Sequence, residues 1–192
     1  DYDHLYSLIS KKIPFSNIWL AYELSPRIPE GSVMHYAILN SLRAWSFFET
    51  PNTVRGYSNV GGFGIDGNIS ALIGASLYNK DRLYFGIIGD LAFFYDMNTL
   101  GNRHVGKNVR ILLVNNGKGM EFRNYTHPAS RFSDVLVDQY MDGAGHFGQK
   151  SISLVRHYAE DLGYEYLTAS CKVSFSKNVE RFLIPEITDK PM

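Results

Sequence analysis

Leu83-Tyr84-Phe85-Gly86-Ile87-Ile88-Gly89-Asp90 and Val109-Arg110-Ile111-Leu112-Leu113-Val114-Asn115-Asn116 decide how this chain folds. Each is a short, almost wholly apolar run that stops abruptly at polar residues. Apolar runs without alternation belong to strands buried on both faces, as in parallel sheets covered by helices. The stretch between the two leaves room for a helical return, with Phe93–His104 the predicted helix. A right-handed crossover of that kind brings both strand ends out on the same edge of the sheet.

The same alternation extends in both directions. Ser16 offers an N-cap to a helix over about Asn17–Arg27, with Ile18, Ala21, Tyr22 and Ser25 on one face. Val33–Leu39 and Val54–Ser58 are strand candidates, separated by a helix over Asn40–Phe48 whose Trp45, Phe47 and Phe48 predict an aromatic core or contact cluster. Glycines 61, 62, 64 and 67 then lead into a helix over Asn68–Tyr78 with Ile69, Leu72, Ile73 and Leu77 at helical spacing. Downstream, Ser151 is expected to cap a helix carrying Ile152, Val155, Ala159 and Leu162. Gly163 ends it, Glu165–Ala169 reads as a strand, and Lys172–Leu183 as a final amphipathic helix. The class is α/β: a three-layer, doubly wound, mainly parallel sheet with helices on both faces. Residues 1–16 read as a linker or lead-in, and the whole as one domain.

Composition narrows the function. Nineteen Lys plus Arg balance nineteen Asp plus Glu over 192 residues, which argues against capture of nucleic acid through phosphate neutralisation. The single cysteine, Cys171, excludes a disulfide framework and a Cys-rich zinc site, and is expected to be a buried apolar residue. No apolar run approaches the roughly 20 residues needed to span a bilayer, and no signal peptide opens the chain. A cytoplasmic location is the expectation. The chain begins at Asp1 instead of a methionine, as an excised piece would.

In an open parallel sheet, ligands bind outside the carboxyl ends of the strands. Asp90 and Asn116 end two successive strands there, a carboxylate and an amide oxygen forming a hard-oxygen site suited to Mg²⁺, Ca²⁺ or another divalent cation. Taken singly, Gly89-Asp90 and Asn115-Asn116-Gly117 are ordinary turn sequences. Their pairing, with 25 residues between Asp90 and Asn116, points to a ligand.

Gly89-Asp90-Leu91-Ala92, the intervening helix and Asn115-Asn116 resemble the diphosphate-binding motif of thiamine diphosphate-dependent enzymes, usually Gly-Asp-Gly followed by Asn-Asn. Leu91 at the third position, Tyr57-Ser58-Asn59 leading to Gly64-Ile65-Asp66-Gly67, and Tyr95-Asp96-Met97-Asn98 resemble the menaquinone-pathway carboligase branch, the 2-succinyl-5-enolpyruvyl-6-hydroxy-3-cyclohexene-1-carboxylate synthases. The resemblance is specific over Val54–Phe122. It implies the thiamin diphosphate-binding fold, with Mg²⁺ held by Asp90, the Asn116 side chain and the Lys118 carbonyl. It places Gly89, Leu91, Ala92, Asn116, Gly119 and Met120 at the diphosphate, the amides of Leu91 and Ala92 acting as a helix N-terminal anion site. Ser58, Asn59, Gly61 and Gly62 would lie on the aminopyrimidine side, and Asp66 would cap the next helix.

The implied chemistry is decarboxylation of a 2-oxo acid and transfer of the acyl unit to an acceptor. In such enzymes the glutamate that activates the aminopyrimidine lies on a separate pyrimidine domain, generally from a partner subunit of a homodimer or homotetramer. No stretch of this chain supplies that domain, so the chain is expected to be one third of a larger enzyme and inactive alone. Lys190-Pro191-Met192 falls where the family begins its last strand. Two departures bear on substrate: Val60 stands where the branch has an arginine for a substrate carboxylate, and Glu121 follows the metal loop. Glu121, His127 and His146 are the remaining polar candidates for catalysis, while His4, His35, His104 and His157 carry no signal. The rival expectations are an acetolactate-synthase-like or simple 2-oxo acid decarboxylase domain, and a non-catalytic domain that keeps the fold.

Overall fold

The computed structural model describes residues 12–146 and 151–192, together with Ser7; most of the lead-in expected over residues 1–16 lies outside the described residues. Four strands, β1 (Val33–Tyr36), β2 (Arg55–Ser58), β3 (Tyr84–Gly89) and β4 (Val109–Val114), form one parallel sheet in the order β2-β1-β3-β4. The chain leaves β1 outward to β2 and then crosses back to β3. The order therefore reverses between β1 and β3, where open α/β sheets place their ligand crevice.

Among the described residues, seven α-helices accompany the strands: α1 (Asn17–Leu24), α2 (Asn40–Trp45), α3 (Asn68–Ser76), α4 (Asp90–Asp96), α5 (Asp134–Tyr140), α6 (Leu154–Asp161) and α7 (Lys172–Leu183). Successive strand residues point to opposite faces, and both faces of the sheet are covered. Met34, Phe85 and Ile87 pack under Trp19, Leu24, Trp45, Phe175 and Leu183 of α1, α2 and α7. Ala37 and Ile88 pack against Ile69, Ile73, Phe93 and Leu100, with Val155 and Ala159 of α6 at the margin. Each buried aliphatic or aromatic side chain contributes about 1.5–3 kcal/mol. Gly86 has no Cβ because Leu72 of α3 fills that space.

Arg110 is the unexpected member of this core. It is fully buried in β4, and its guanidinium donates to the carbonyls of Phe182 (2.8 Å), Ile184 (2.5 Å) and Glu186 (2.7 Å) at and beyond the end of α7. A cation at a helix C-terminus satisfies carbonyls that no intrahelical N–H reaches. Burial, with the nearby Arg181 charge, lowers its pKa to about 10.

Several expectations are corrected. The first helix ends at Leu24 and tightens into a 3₁₀ turn over Ser25–Arg27, since Pro26 lacks the N–H that an α-helix needs. Its buried residues are Trp19, Leu20, Ala21 and Leu24, while Ile18 is exposed, because Trp19 packs edge-on against Phe175 at 5.0 Å. The first strand stops at Tyr36, and α2 stops at Trp45, leaving Phe47 exposed beside Phe48. The helix expected from Phe93 begins at Asp90 and continues beyond Asp96 as a 3₁₀ segment, Met97–Gly101, so His104 lies in the following turn. Helix α3 ends at Ser76, leaving Leu77 exposed. Helix α6 starts at Leu154 after Ser153, not at Ser151, and Ile152 is exposed.

Glu165–Ala169 is not a strand. Its position is separated from β4 by Pro191-Met192: Met192 exchanges hydrogen bonds with Val109 and Ile111 at 3.0 and 2.7 Å, and the Glu165 N–H donates to the Pro191 carbonyl at 2.8 Å. One bond does not make a ladder. Cys171 is exposed, not buried; it is the N-cap of α7 in a reciprocal capping box with Ser174, whose hydrogen bonds hold the thiol below its usual pKa. Among the described residues, no helix is long and apolar enough to cross a membrane.

Candidate functional site

Strands β3 and β4 deliver Asp90 and Gly117 to the same sheet edge, as a parallel pair must. Asp90 is the first residue of α4 and is buried. Its Oδ2 accepts the Gly117 N–H at 2.6 Å and lies 2.8 Å from His146 Nε2; its Oδ1 accepts the Leu91 N–H at 3.0 Å. A carboxylate has about four acceptor positions, so one Oδ1 lone pair is left by these contacts. The Leu91 amide, expected to face an anion, is turned back to Asp90 here. Gly117 takes φ +82°, which the turn at Asn116 requires.

The segment after the turn is held from below. Asn116 is exposed at the edge, with its Oδ1 accepting the Lys118 N–H at 3.4 Å. The Lys118 ammonium is drawn aside to Asp138 of α5 at 2.7 Å, and that bond holds the Asp138 carboxyl below the usual carboxylate range. The Gly119 N–H donates to the Asp142 carbonyl at 2.6 Å. A Cβ on Gly119 would sit 3.1 Å from Leu91 Cδ1 and 3.2 Å from that carbonyl, so the position admits no side chain without displacement. Met120 and Glu121 then open a 3₁₀ turn, Met120–Arg123.

A second loop comes from β2. Asn59 donates to the Gly67 carbonyl at 3.1 Å, and Asn68 to the Ile65 carbonyl at 2.7 Å, closing residues 59–68 into a compact unit. Gly61 and Gly62 are exposed on it, as are Val60 and Phe63, and Phe63 holds a left-handed φ of +50°. Ser58 Oγ is buried and has no hydrogen-bond partner among the described residues. The N-cap of α3 is Gly67 at φ +72° with no side-chain cap, so Asp66 does not cap that helix. Asp96, buried, instead receives the Ser70 N–H at 2.7 Å and its hydroxyl at 2.6 Å.

Of the catalytic candidates, only His146 reaches Asp90. His127 caps the 3₁₀ turn Pro128–Arg131 through Nδ1 (3.0 Å from Ala129 N) and packs against Phe122, a structural role. Glu121 is bonded to Arg43 of α2 and to Asn124 Nδ2 at 3.2 Å, so its charge is neutralised. Arg43, Asn40 and Leu39 were not singled out by sequence reasoning. Leu39, at φ +67° between β1 and α2, borders the crevice; backbone strain of this kind clusters at functional sites. The polar Asn40-Ser41 ending an apolar run was the available signal, the same one that marked Asp90 and Asn116.

No three His, Cys, Asp or Glu side chains gather as metal ligands among the described residues. A cation here would therefore depend on one carboxylate, Asp90, with amide and carbonyl oxygens beside it. That donor set suits Mg²⁺, which usually keeps waters and phosphate oxygens in its shell. The buried Ser58 hydroxyl, without a hydrogen-bond partner among the described residues, also fits a polar ligand lying along this edge.

No protein-family model matches the chain. It is 32% identical over 183 residues to the 2-succinyl-5-enolpyruvyl-6-hydroxy-3-cyclohexene-1-carboxylate synthase of Bacteroides fragilis, covering 94% of this chain and 31% of that protein. The synthase of the same name from Bacteroides thetaiotaomicron is 31% identical over 202 residues, covering the whole chain and 34% of that protein. The chain thus spans about a third of the length of the curated relatives it matches. In fold it is similar to the thiamine diphosphate-dependent 4-hydroxybenzoylformate decarboxylase of Rhodococcus jostii RHA1, with a TM-score of 0.64 and 20% identity, covering 93% of this chain and 31% of that one. The synthase-like sequence and this shared fold agree with the resemblance to thiamine diphosphate-dependent enzymes read from the Gly89-Asp90 and Asn115-Asn116 motifs.

Proposed function

We propose that this chain is the diphosphate-binding domain of a thiamine diphosphate-dependent enzyme acting on a 2-oxo acid, and is one part of a longer protein. The observation that carries the reading is the 2.6 Å bond from the Gly117 N–H to Asp90, which joins the two strand ends beside Asn116. Asp90, the Asn116 side chain and the Lys118 carbonyl hold Mg²⁺ in this reading. Gly89, Leu91, Ala92, Gly119 and Met120 line the diphosphate, and Ser58, Asn59, Gly61 and Gly62 the aminopyrimidine side. When bound, the cofactor supplies the electron sink for decarboxylation.

The work of this chain's own residues is binding and orientation. The buried Asp90 carboxylate supplies the negative charge of the cation site, and Gly119 lets the loop pack closely on Leu91 and the Asp142 carbonyl. No proton transfer is assigned to Glu121 or His127, because both are engaged in structural contacts. The activating glutamate comes from a separate pyrimidine domain, across a homodimer or homotetramer, so the chain alone is catalytically silent.

Carboligation like that of the synthase relatives is the first assignment of the whole protein. A second reading, a simple 2-oxo acid decarboxylase or an acetolactate-synthase-like enzyme, is favoured by one observation: the edge near β2 presents uncharged Val60, while Arg43 is committed to Glu121. Product analysis on the full-length protein separates them, since release of free aldehyde contradicts carboligation. The domain assignment itself is tested with Mn²⁺ as a paramagnetic substitute for Mg²⁺. Binding of Mn²⁺ and of thiamine diphosphate should each strengthen the other. Independent or absent binding would contradict the assignment.

A further inference from the structure

Arg123 lies outside every motif that identifies the site, yet it is the hub beneath it. Its guanidinium bonds to Asp134 Oδ1 at 2.6 Å, to Asp142 Oδ2 at 3.1 Å and to Asp138. The three acceptors are not equivalent. Asp134 is exposed on the first turn of α5 and touches nothing in the site. Asp138 also holds the Lys118 ammonium at 2.7 Å. Asp142 is fully buried, and its backbone carbonyl takes the Gly119 N–H at 2.6 Å. Asp142 also begins the short segment that returns to the sheet: its Oδ1 accepts the Ala144 N–H at 3.1 Å, Gly143 packs on Leu91 at φ +66°, and His146 ends beside Asp90.

One planar cation thus bridges the carboxylates whose residues grip Lys118 from one side and Gly119 from the other. A guanidinium does this because its donors diverge in a rigid fork; an ammonium offers a point charge. With Arg123 absent, buried Asp142 would lose the guanidinium that fixes it, and with it the anchoring of the carbonyl that takes the Gly119 N–H.

We infer that Arg123 is the positioning residue of the 117–119 loop, setting the backbone of Lys118 and Gly119 through Asp138 and Asp142 without touching the ligand. The ligand in question is the metal-diphosphate group of the proposed function, on which this inference rests. The positioning itself is visible without any ligand.

Amide hydrogen exchange on the chain reads it directly. In Arg123→Gln the Gly119 amide should lose at least tenfold of its protection, while amides of β3 and β4 keep theirs. Arg123→Lys should restore part of the loss, and Asp134→Asn should change nothing at Gly119. In calorimetric titrations with Mg²⁺ and thiamine diphosphate, Arg123→Gln should bind at least tenfold more weakly than the unmodified chain. Unchanged Gly119 protection in Arg123→Gln, or equal loss throughout β3 and β4 in both Arg123 variants, overturns the inference. If Arg123→Gln does not fold, Arg123→Lys decides: undiminished Gly119 protection there overturns it, and a loss confined to the loop supports it. A chain that binds no cofactor, yet loses Gly119 protection in Arg123→Gln, refutes the proposed function and keeps the positioning role.

Discussion

Asp90 Oδ2, at the end of β3, accepts the Gly117 N–H, at the end of β4, at 2.6 Å. The bond crosses between neighbouring parallel strands at the edge where the sheet places its ligands. It makes the two motifs one site. Under the proposed function Asp90 is both a structural acceptor and a cation ligand, so its substitution has two effects that must be read separately.

Gly119 is expected to tolerate no side chain. Alanine there meets Leu91, which can move, and the Asp142 carbonyl at 3.2 Å, which cannot move without breaking its bond to Gly119 itself. Gly119→Ala should weaken thiamine diphosphate binding by about tenfold, or 1.4 kcal/mol, with the melting temperature little altered. Equal affinity in the two proteins, measured by calorimetry, would show that the loop has slack the structure does not display.

Arg110 should be among the most costly positions to change. Arg110→Met removes the donor from three carbonyls at and beyond the end of α7. The expected loss is about 2–4 kcal/mol in urea unfolding, because unsatisfied buried groups cost about 1–3 kcal/mol each and relaxation recovers part. Arg110→Lys should recover little, since one ammonium does not span the same acceptors. A loss below 1 kcal/mol in the methionine variant, on the order of a single surface change, would contradict the assignment.

His35 gives the fold a pH dependence of definite sign. It is buried in β1, burial lowers its pKa from 6.5, and its Nε2 has no hydrogen-bond partner among the described residues. The folded chain therefore resists a proton that the unfolded chain accepts. Stability is complete above pH 6.5 and falls as pH drops below that value toward the lowered folded pKa. Urea unfolding at pH 7.5 and pH 5.5 should show a smaller fall in His35→Gln than in the unmodified chain. Parallel falls would assign the acid sensitivity to other groups.

Local order along the chain made much of this legible. The residue ranges of β4 and α7 coincide with their expected bounds, since Val109–Val114 is bounded by turn residues and Lys172–Leu183 is amphipathic throughout. The strand-end pair Asp90 and Asn116 was readable because parallel topology forces such residues to one edge. What failed was long-range. Glu165–Ala169 has strand-forming residues, but its neighbour in the sheet is the Pro191-Met192 segment, and no local pattern encodes that. Arg110 is a charged residue inside an otherwise apolar run, and only α7, more than seventy residues later, explains it. The pairing of Arg43 with Glu121 and the grouping of Arg123 with three aspartates join a 3₁₀ turn to separate helices and a loop that share no periodicity. Charged residues in such segments read alike until the fold brings their partners to them.

The central claim is that Asp90 anchors a divalent cation and, through it, a diphosphate. Calorimetric titration of the chain and of Asp90→Asn with thiamine diphosphate in the presence of Mg²⁺ tests it most directly. The asparagine oxygen can accept only one of the Gly117 and Leu91 N–H groups that the two carboxylate oxygens accept, so unfolding curves recorded alongside separate the lost acceptor from the lost charge. Binding to the unmodified chain should depend on Mg²⁺ and be weakened by roughly a hundredfold or more in Asp90→Asn. Binding of equal strength in the two proteins, or binding indifferent to Mg²⁺, would contradict it.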